Sequence, residues 1–412
     1  MERVTQMPGR NHPGAPVGAD FLGAAVLDRD GSSAPLDSTF PGAEAVLAGS
    51  AATAPVDDVG DDSATPTASG KQGQFDRKSG PGATGGRLRF VDGLRGIAAM
   101  MVVLYHLVGR TSADWLASKG YLGVSVFFVL SGFVITMAIG ERRITPGFLG
   151  RFAARRSLRL DPPYWISIVI AILLALVATK IGVAKEFPST QGILAHLFYL
   201  QDILGFAAIS DVYWSLCLEV QFYLFLVVLL WIGGQRVSSS GFQALVAILL
   251  VLSLAQHANL LSLTPRGVFL PYWYGFTAGA VTYWANVGRI SPRYLVGTVL
   301  VLLAFVPLAH GEAVLVTVLT LLSLHVASRL GRMQVWFSGP AMQFLGRTSY
   351  SLYLFHALIG WSAQSFALRY VDQWTALAIG IGSSLMFAAA AYVAIERPAI
   401  RLSHLVRTDS RA

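Results

Sequence analysis

The sequence predicts an all-α fold: a polytopic membrane helical bundle of about ten transmembrane helices. Three observations carry the prediction. Charged residues are scarce, apolar windows of spanning length recur down the chain, and basic residues alternate between sparse and dense loops. Only 13% of the residues are charged while 54% are hydrophobic, and the mean hydropathy is +0.56. Soluble domains are about one-quarter charged, so water is not the main solvent of this chain.

Composition is uneven. Residues 1–86 hold most of the Gly, Pro, Ser, Thr and Asp richness and show neither helical nor strand periodicity, which predicts a disordered cytoplasmic tail. The short Gly/Ala-rich run Phe21 to Leu27 is no secretory h-region, so the first true apolar run is expected to act as an uncleaved start of insertion. A membrane domain is expected over 87–400, and 401–412 reads as a short basic cytoplasmic tail.

The apolar windows fall near 93–109, 121–139, 162–182, 212–232, 241–257, 267–286, 293–309, 312–328, 349–367 and 373–395. The stretch 191–204 is apolar but short, and a re-entrant or interfacial piece suits it better than an eleventh span. Ten spans put both termini on one side. Loops on that side hold arginines such as Arg142, Arg143, Arg155, Arg156, Arg159, Arg236 and Arg329, whereas the opposite loops hold only Arg110, Lys119, Lys180, Lys185, Arg266 and Arg369. The positive-inside rule then makes both termini cytoplasmic.

The net charge of +8 is spread as short arginine clusters between apolar runs rather than along one polar face, so topology explains it and no nucleic-acid partner is expected. Membrane lipids are the expected surroundings. Cys217 is the single cysteine, which excludes an intrachain disulfide, and no Cys/His cluster has zinc-ligand spacing, so no metal is expected.

Ionisable residues inside spans are costly and mark candidate function. Arg95 and His106 are eleven positions apart in the first window. Three turns plus about 20° puts them on one helix face, about 16 Å apart along the axis. Arg95 snorkelling to headgroups and His106 capping the span is the plain alternative. Arg155, Arg156 and Arg159 gather on one helical turn at the mouth of the third window, a patch suited to phosphate as well as to positive-inside anchoring. Ser215 and Glu219 share a face at the start of the fourth window. A lone carboxylate there needs a partner, and His106, at similar depth, is the expected one, since a carboxylate beside imidazole fixes its tautomer and raises its basicity; a carboxylate satisfied by backbone or water at the interface is the plain alternative. His356 has no acidic partner that the sequence can assign and reads as a packing or hydrogen-bonding residue.

Six ordered motifs carry a resemblance. They are Phe90 to Leu94 with Arg95 and then His106; Phe127-Phe128-Val129-Leu130-Ser131-Gly132-Phe133; Arg155-Arg156-Ser157-Leu158-Arg159-Leu160; Trp214-Ser215-Leu216 with Glu219; Ser349 to His356; and Glu396-Arg397-Pro398. Together, over about Arg89 to Pro398, the chain resembles the acyltransferase-3 family of membrane acyltransferases. The resemblance implies transfer of an acyl group, often acetyl from acetyl-CoA, onto a carbohydrate hydroxyl of a surface polysaccharide, lipopolysaccharide, peptidoglycan or glycosylated metabolite, in a bacterial plasma membrane. It marks Arg95, His106, Arg156, Arg159 and Glu219 as functional. Asp161 before Pro162-Pro163 departs from the family, whose members often carry an apolar or aromatic residue there. Many relatives also carry an extracytoplasmic hydrolase-like domain after the spans, for which this sequence leaves no room, so the membrane domain is expected to act alone here.

The combined expectation is that Arg156 and Arg159, with Arg95, hold the phosphates of cytosolic acyl-CoA, a donor substrate rather than a resident cofactor. His106 is then the general base or an acyl carrier, with Glu219 orienting it. A transporter or flippase using Arg95, His106 and Glu219 as a relay is the alternative from another class.

Overall fold

The computed structural model describes residues 87–182 and 187–406. The tail expected over 1–86 and the end of the basic segment 401–412 lie outside the described residues. Among the described residues the structure is all-helical. Its helices are α1 (Arg89–Val108), the single turn α2 (Asp114–Ala117), α3 (Gly123–Ile139), α4 (Pro146–Lys180), α5 (Thr190–Leu197), α6 (Tyr213–Ile232) and α7 (Ser240–His257), then α8 (Trp273–Asn286), α9 (Pro292–Phe305), α10 (Gly311–Arg329), α11 (Pro340–Phe355), α12 (Trp361–Ala367), α13 (Gln373–Ala391) and α14 (Arg397–Ser403).

Local sequence sets the helix starts. Thr145 accepts the amide of Phe148 at the head of α4, with Pro146 at the first helical position, and Ser291 with Pro292 repeats the device at α9. Ser239 caps α7 and Asp372 caps α13, the latter accepting from the amides of Trp374 and Thr375. The Thr375 hydroxyl and these amides hold the exposed Asp372 carboxyl below its usual range.

Seven helical stretches are long and apolar enough to cross a membrane: Arg89–Val108, Asp114–Ile139, Pro146–Lys180, Tyr213–Ile232, Ser240–His257, Gly311–Arg329 and Gln373–Ser403. The remaining three of the ten expected windows are helical but fall short of that standard. Helices α8 and α9 have 14 residues each, about 21 Å of rise. The window at 349–367 is divided among α11, a π-helical turn at His356–Gly360 and α12, and α11 carries Arg347, Thr348, Ser349 and Ser351. The stretch 191–204 is no span: its eight-residue helix α5 rises about 12 Å and is followed by turns. The segment docks on α4, where the Trp165 indole donates to Leu197 O and the Tyr199 hydroxyl to Asp161.

Two helix pairs form the centre, α1 against α11 and α3 against α8. Glycine lets both close. A Cβ on Gly132 would overlap the Phe276 carbonyl, and one on Gly279 the Val129 carbonyl; Gly96 and Gly346 face the other helix's backbone in the same way. The outward faces carry Leu173, Leu224, Ile248, Leu300, Leu319 and Met386, all exposed. Such faces are stable only in an apolar solvent, which agrees with a membrane bundle.

Candidate active site

A cavity between α1, α3, α4, α6 and α11 collects four of the five residues singled out in the sequence: Arg95, Arg156, Arg159 and Glu219 all line it. The helical turn from Arg156 to Arg159 turns both guanidinium groups inward, as their three-residue spacing requires. Glu219 accepts a hydrogen bond from the Ser131 hydroxyl at 2.8 Å, so Ser131 within the Phe127–Phe133 motif orients it. Arg156 lies within electrostatic reach of Glu219, and its guanidinium sits 5.7 Å from the Phe152 ring centre.

A second carboxylate completes the cluster. Glu396 is 4% exposed, sits in a π-helical turn at Tyr392–Glu396, and accepts from the Ser351 amide and hydroxyl at 3.3 and 2.6 Å. Arg95 and Arg159 are its electrostatic partners. Three guanidinium groups thus lie within electrostatic reach of two carboxylates, a balance that lowers the cost of burying them and leaves a formal excess of one positive charge. The Glu396-Arg397-Pro398 motif was legible in the sequence; its role was not, because the carboxylate arrives from a helix remote in the chain.

Asp161 does not disturb this balance. It accepts from the hydroxyls of Ser157 and Tyr199 and so has partners of its own. Pro162 and Pro163 remove two amide donors inside α4. At the adjoining turn the Tyr350 hydroxyl, which also lines the cavity, donates to Leu160 O at 2.8 Å and ties α11 to α4.

His106 stands elsewhere. It lies on α1 about three turns beyond Arg95, as expected, but it is not paired with Glu219. Its Nδ1 is 3.1 Å from Val102 O and 3.0 Å from Nε2 of His356, with the two rings 5.0 Å apart at 39°. The expected His106–Glu219 pair is therefore replaced by two arrangements, Glu219 with the arginines and His106 with His356. The physical reason is direction around the helix axis: Glu219 faces Ser131 on α3 and the arginines of α4, while α11 brings His356 to α1. His356, read from sequence as a packing residue, is fully buried. Its signal was present in the Ser349–His356 motif and missed because only carboxylates were considered as partners for imidazole.

Tyr353 connects the two places. Its hydroxyl is 2.6 Å from Ser215 Oγ, its side chain lines the arginine cavity, and its ring centre is 6.1 Å from that of His356. At the His106 end, the rings of Tyr105 and Trp361 meet the imidazole edge-to-face with ring centres 5.0 and 5.5 Å away, and the Trp361 indole donates to His106 O. The arrangement therefore offers an anion-binding cavity at one end and an imidazole pair among aromatic rings at the other.

Comparison with known proteins adds three findings. A family model described as "Acyltransferase domain" matches residues 88–393. Among named relatives, the Staphylococcus aureus (strain COL) protein "Putative O-acetyltransferase SACOL0978" is 28% identical over 369 residues, which is 76% of this chain and 58% of the relative. Nodulation protein 10 of Rhizobium leguminosarum bv. viciae is 27% identical over 68% of this chain and 82% of its own length. Exopolysaccharide production protein ExoZ of Rhizobium meliloti (strain 1021) is 29% identical over 73% of this chain and 95% of its own. The chain thus spans little more than half the length of the staphylococcal relatives. No solved structure matches it.

Proposed function

The chain belongs to the acyltransferase domain family matched over residues 88–393, and from that premise we propose that it moves an acyl group, acetyl in the simplest case, from acyl-CoA to a hydroxyl of a carbohydrate acceptor. The observation that carries the reading is the placement of an arginine cavity and an imidazole at different depths along one helix, with Arg95 and His106 about 16 Å apart on α1. In this reading the protein sits in a bacterial plasma membrane with both termini cytoplasmic. The names O-acetyltransferase and exopolysaccharide production protein among its relatives support acetyl transfer and a polysaccharide acceptor.

The anionic phosphates of acyl-CoA dock on Arg156 and Arg159, whose planar forks each bind two oxygens, with Arg95 adding charge. Glu219 and Glu396 limit the excess charge. The thin pantetheine arm runs past Tyr353 and carries the thioester to His106. There the acceptor hydroxyl enters from outside along Tyr105 and Trp361. Its oxygen attacks the thioester carbonyl as His106 Nε2 takes the hydroxyl proton. The new C–O bond forms, the C–S bond breaks, and the imidazolium returns its proton to the departing CoA thiolate.

The test is incubation of the purified protein in membranes with labelled acetyl-CoA and candidate glycans. Label on the glycan is expected, and His106→Ala is expected to abolish it while inserting into the membrane normally. Full activity of that variant would remove the base assignment. Transport of an acceptor without any labelled product would favour the relay reading, in which the same residues pass protons.

A further inference from the structure

His356 lies outside the arginine cavity's lining and has no part in the donor or acceptor contacts just described, yet the atoms around it fix where its proton sits. Its Nδ1 is 3.1 Å from Leu352 O and 2.9 Å from Tyr353 O. Carbonyl oxygens only accept hydrogen bonds, so Nδ1 carries the hydrogen and donates to both. In the neutral ring Nε2 is then a bare acceptor, and what faces it at 3.0 Å is Nδ1 of His106. Two bare nitrogens or two N–H groups cannot share that gap favourably. The hydrogen in it therefore belongs to His106 Nδ1, a placement that Val102 O at 3.1 Å also favours.

From this geometry we infer that His356 is a positioning residue for His106: its Nε2 accepts the hydrogen bond from His106 Nδ1–H and so leaves the lone pair on His106 Nε2 for the acceptor hydroxyl. The inference rests on the reading of His106 as the base. The logic is that of a carboxylate orienting a catalytic imidazole, performed here by a second, uncharged imidazole. A neutral partner suits the location. His356 is 0% exposed and begins a π-helical turn, an irregularity that recurs at functional positions. A carboxylate in the same place would bring an uncompensated charge into an apolar bundle, whereas an imidazole anchored on two backbone carbonyls brings none. As His106 takes up a proton at Nε2 it becomes an imidazolium, and the bond to His356 strengthens because its donor is now charged. That strengthening occurs while the hydroxyl is being deprotonated, when it contributes most to the rate.

Two substitutions separate positioning from packing. His356→Asn keeps a donor to the Leu352 and Tyr353 carbonyls but has no atom where Nε2 stood. His356→Gln carries an amide oxygen out to that place. The experiment uses the full chain labelled with ¹⁵N-histidine in lipid nanodiscs, with the His106 signals identified by their loss in His106→Gln. Wild-type protein should show a nitrogen–nitrogen coupling across the bond between the rings, with the hydrogen on His106 Nδ1. In labelled-acetyl transfer, His356→Asn should lower kcat by roughly a hundredfold with KM for acetyl-CoA within about twofold, and His356→Gln should recover at least about a tenth of the wild-type kcat. Retained thermal midpoints in both variants would locate the loss in chemistry rather than folding. A hydrogen found on His106 Nε2 in the wild type, no coupling between the rings, or equal activities of the Asn and Gln variants would each overturn the inference. The coupling is read without any turnover. If the protein transferred no acetyl at all, the reaction proposed above would fail while the ring-to-ring bond would still be measured.

Discussion

At the residue scale the cavity is a charge balance, and the balance predicts how its members fail. Arg95, Arg156, Arg159 and Glu219 line the cavity, Glu396 lies within electrostatic reach of Arg95 and Arg159, and the two carboxylates are held by Ser131 and Ser351. Hydrogen bonds to charged groups contribute about 1.5–3 kcal/mol each, so replacing both Arg156 and Arg159 with Gln should raise KM for acetyl-CoA by roughly tenfold or more and change kcat less. Unchanged dependence on acetyl-CoA concentration would reduce them to topological anchors. The four cavity residues were legible in the sequence because charge inside an apolar window is conspicuous and because spacing along a helix fixes the face. The partnerships were not. Depth along an axis follows from residue number, but which neighbour a side chain meets depends on how helices are rotated against one another, and that left His106 assigned to Glu219 rather than His356. Glu396 was hidden for the same reason: its partners on α1, α4 and α11 meet it only in the folded bundle.

Among elements, the two glycine-mediated contacts decide whether the site exists. The cavity borders α3 and α6 through Ser131 and Glu219, and α3 is held in place by its close approach to α8. A side chain at Gly279 has nowhere to go, since its Cβ would overlap the Val129 carbonyl and crowd the Phe133 amide. Gly279→Leu should therefore cost about 1–3 kcal/mol or more and lower the thermal midpoint of the detergent-purified protein. Gly297→Leu is the control: it lies exposed on α9 with nothing within 4 Å of its Cβ, and should leave that midpoint in place. Equal midpoints would mean that α3 and α8 separate easily and that the glycines are incidental. Hydropathy located every one of these helices, since lipid demands continuous apolar segments. The windows at α8, α9 and the α11–α12 region are helical but shorter or less apolar than the seven clear spans. In that last region the polar residues and the π-helical turn that build the site interrupt the pattern a window average detects.

For the whole molecule the number of membrane crossings sets which side each loop faces. The α11–α12 region decides it, because it carries both Tyr350 and His356 yet falls below the length and apolarity of the seven clear spans. If it crosses, Arg369, exposed in the turn between α12 and α13, lies outside with the C-terminus inside; if it does not, both positions exchange sides. A cysteine at position 369 should react with a membrane-impermeant thiol reagent added to intact cells. The native Cys217 is fully buried and should stay silent under the same treatment. Reaction only after permeabilisation would overturn the assignment of both termini to the cytoplasm.

Helix α1 carries Arg95 and His106 on one continuous rod, so the separation between these two side chains is set by peptide geometry and cannot adapt to a bound molecule. In the proposed reaction that rod behaves as a ruler. A donor truncated in its arm would still be gripped by its phosphates but would present its carbonyl short of the imidazole. One with the full arm would arrive in register whatever small acyl group it bore. Discrimination would then lie in the carrier rather than in the cargo. An enzyme built this way selects coenzyme A thioesters as a class and leaves the choice of acyl group to whichever of them the cytoplasm supplies.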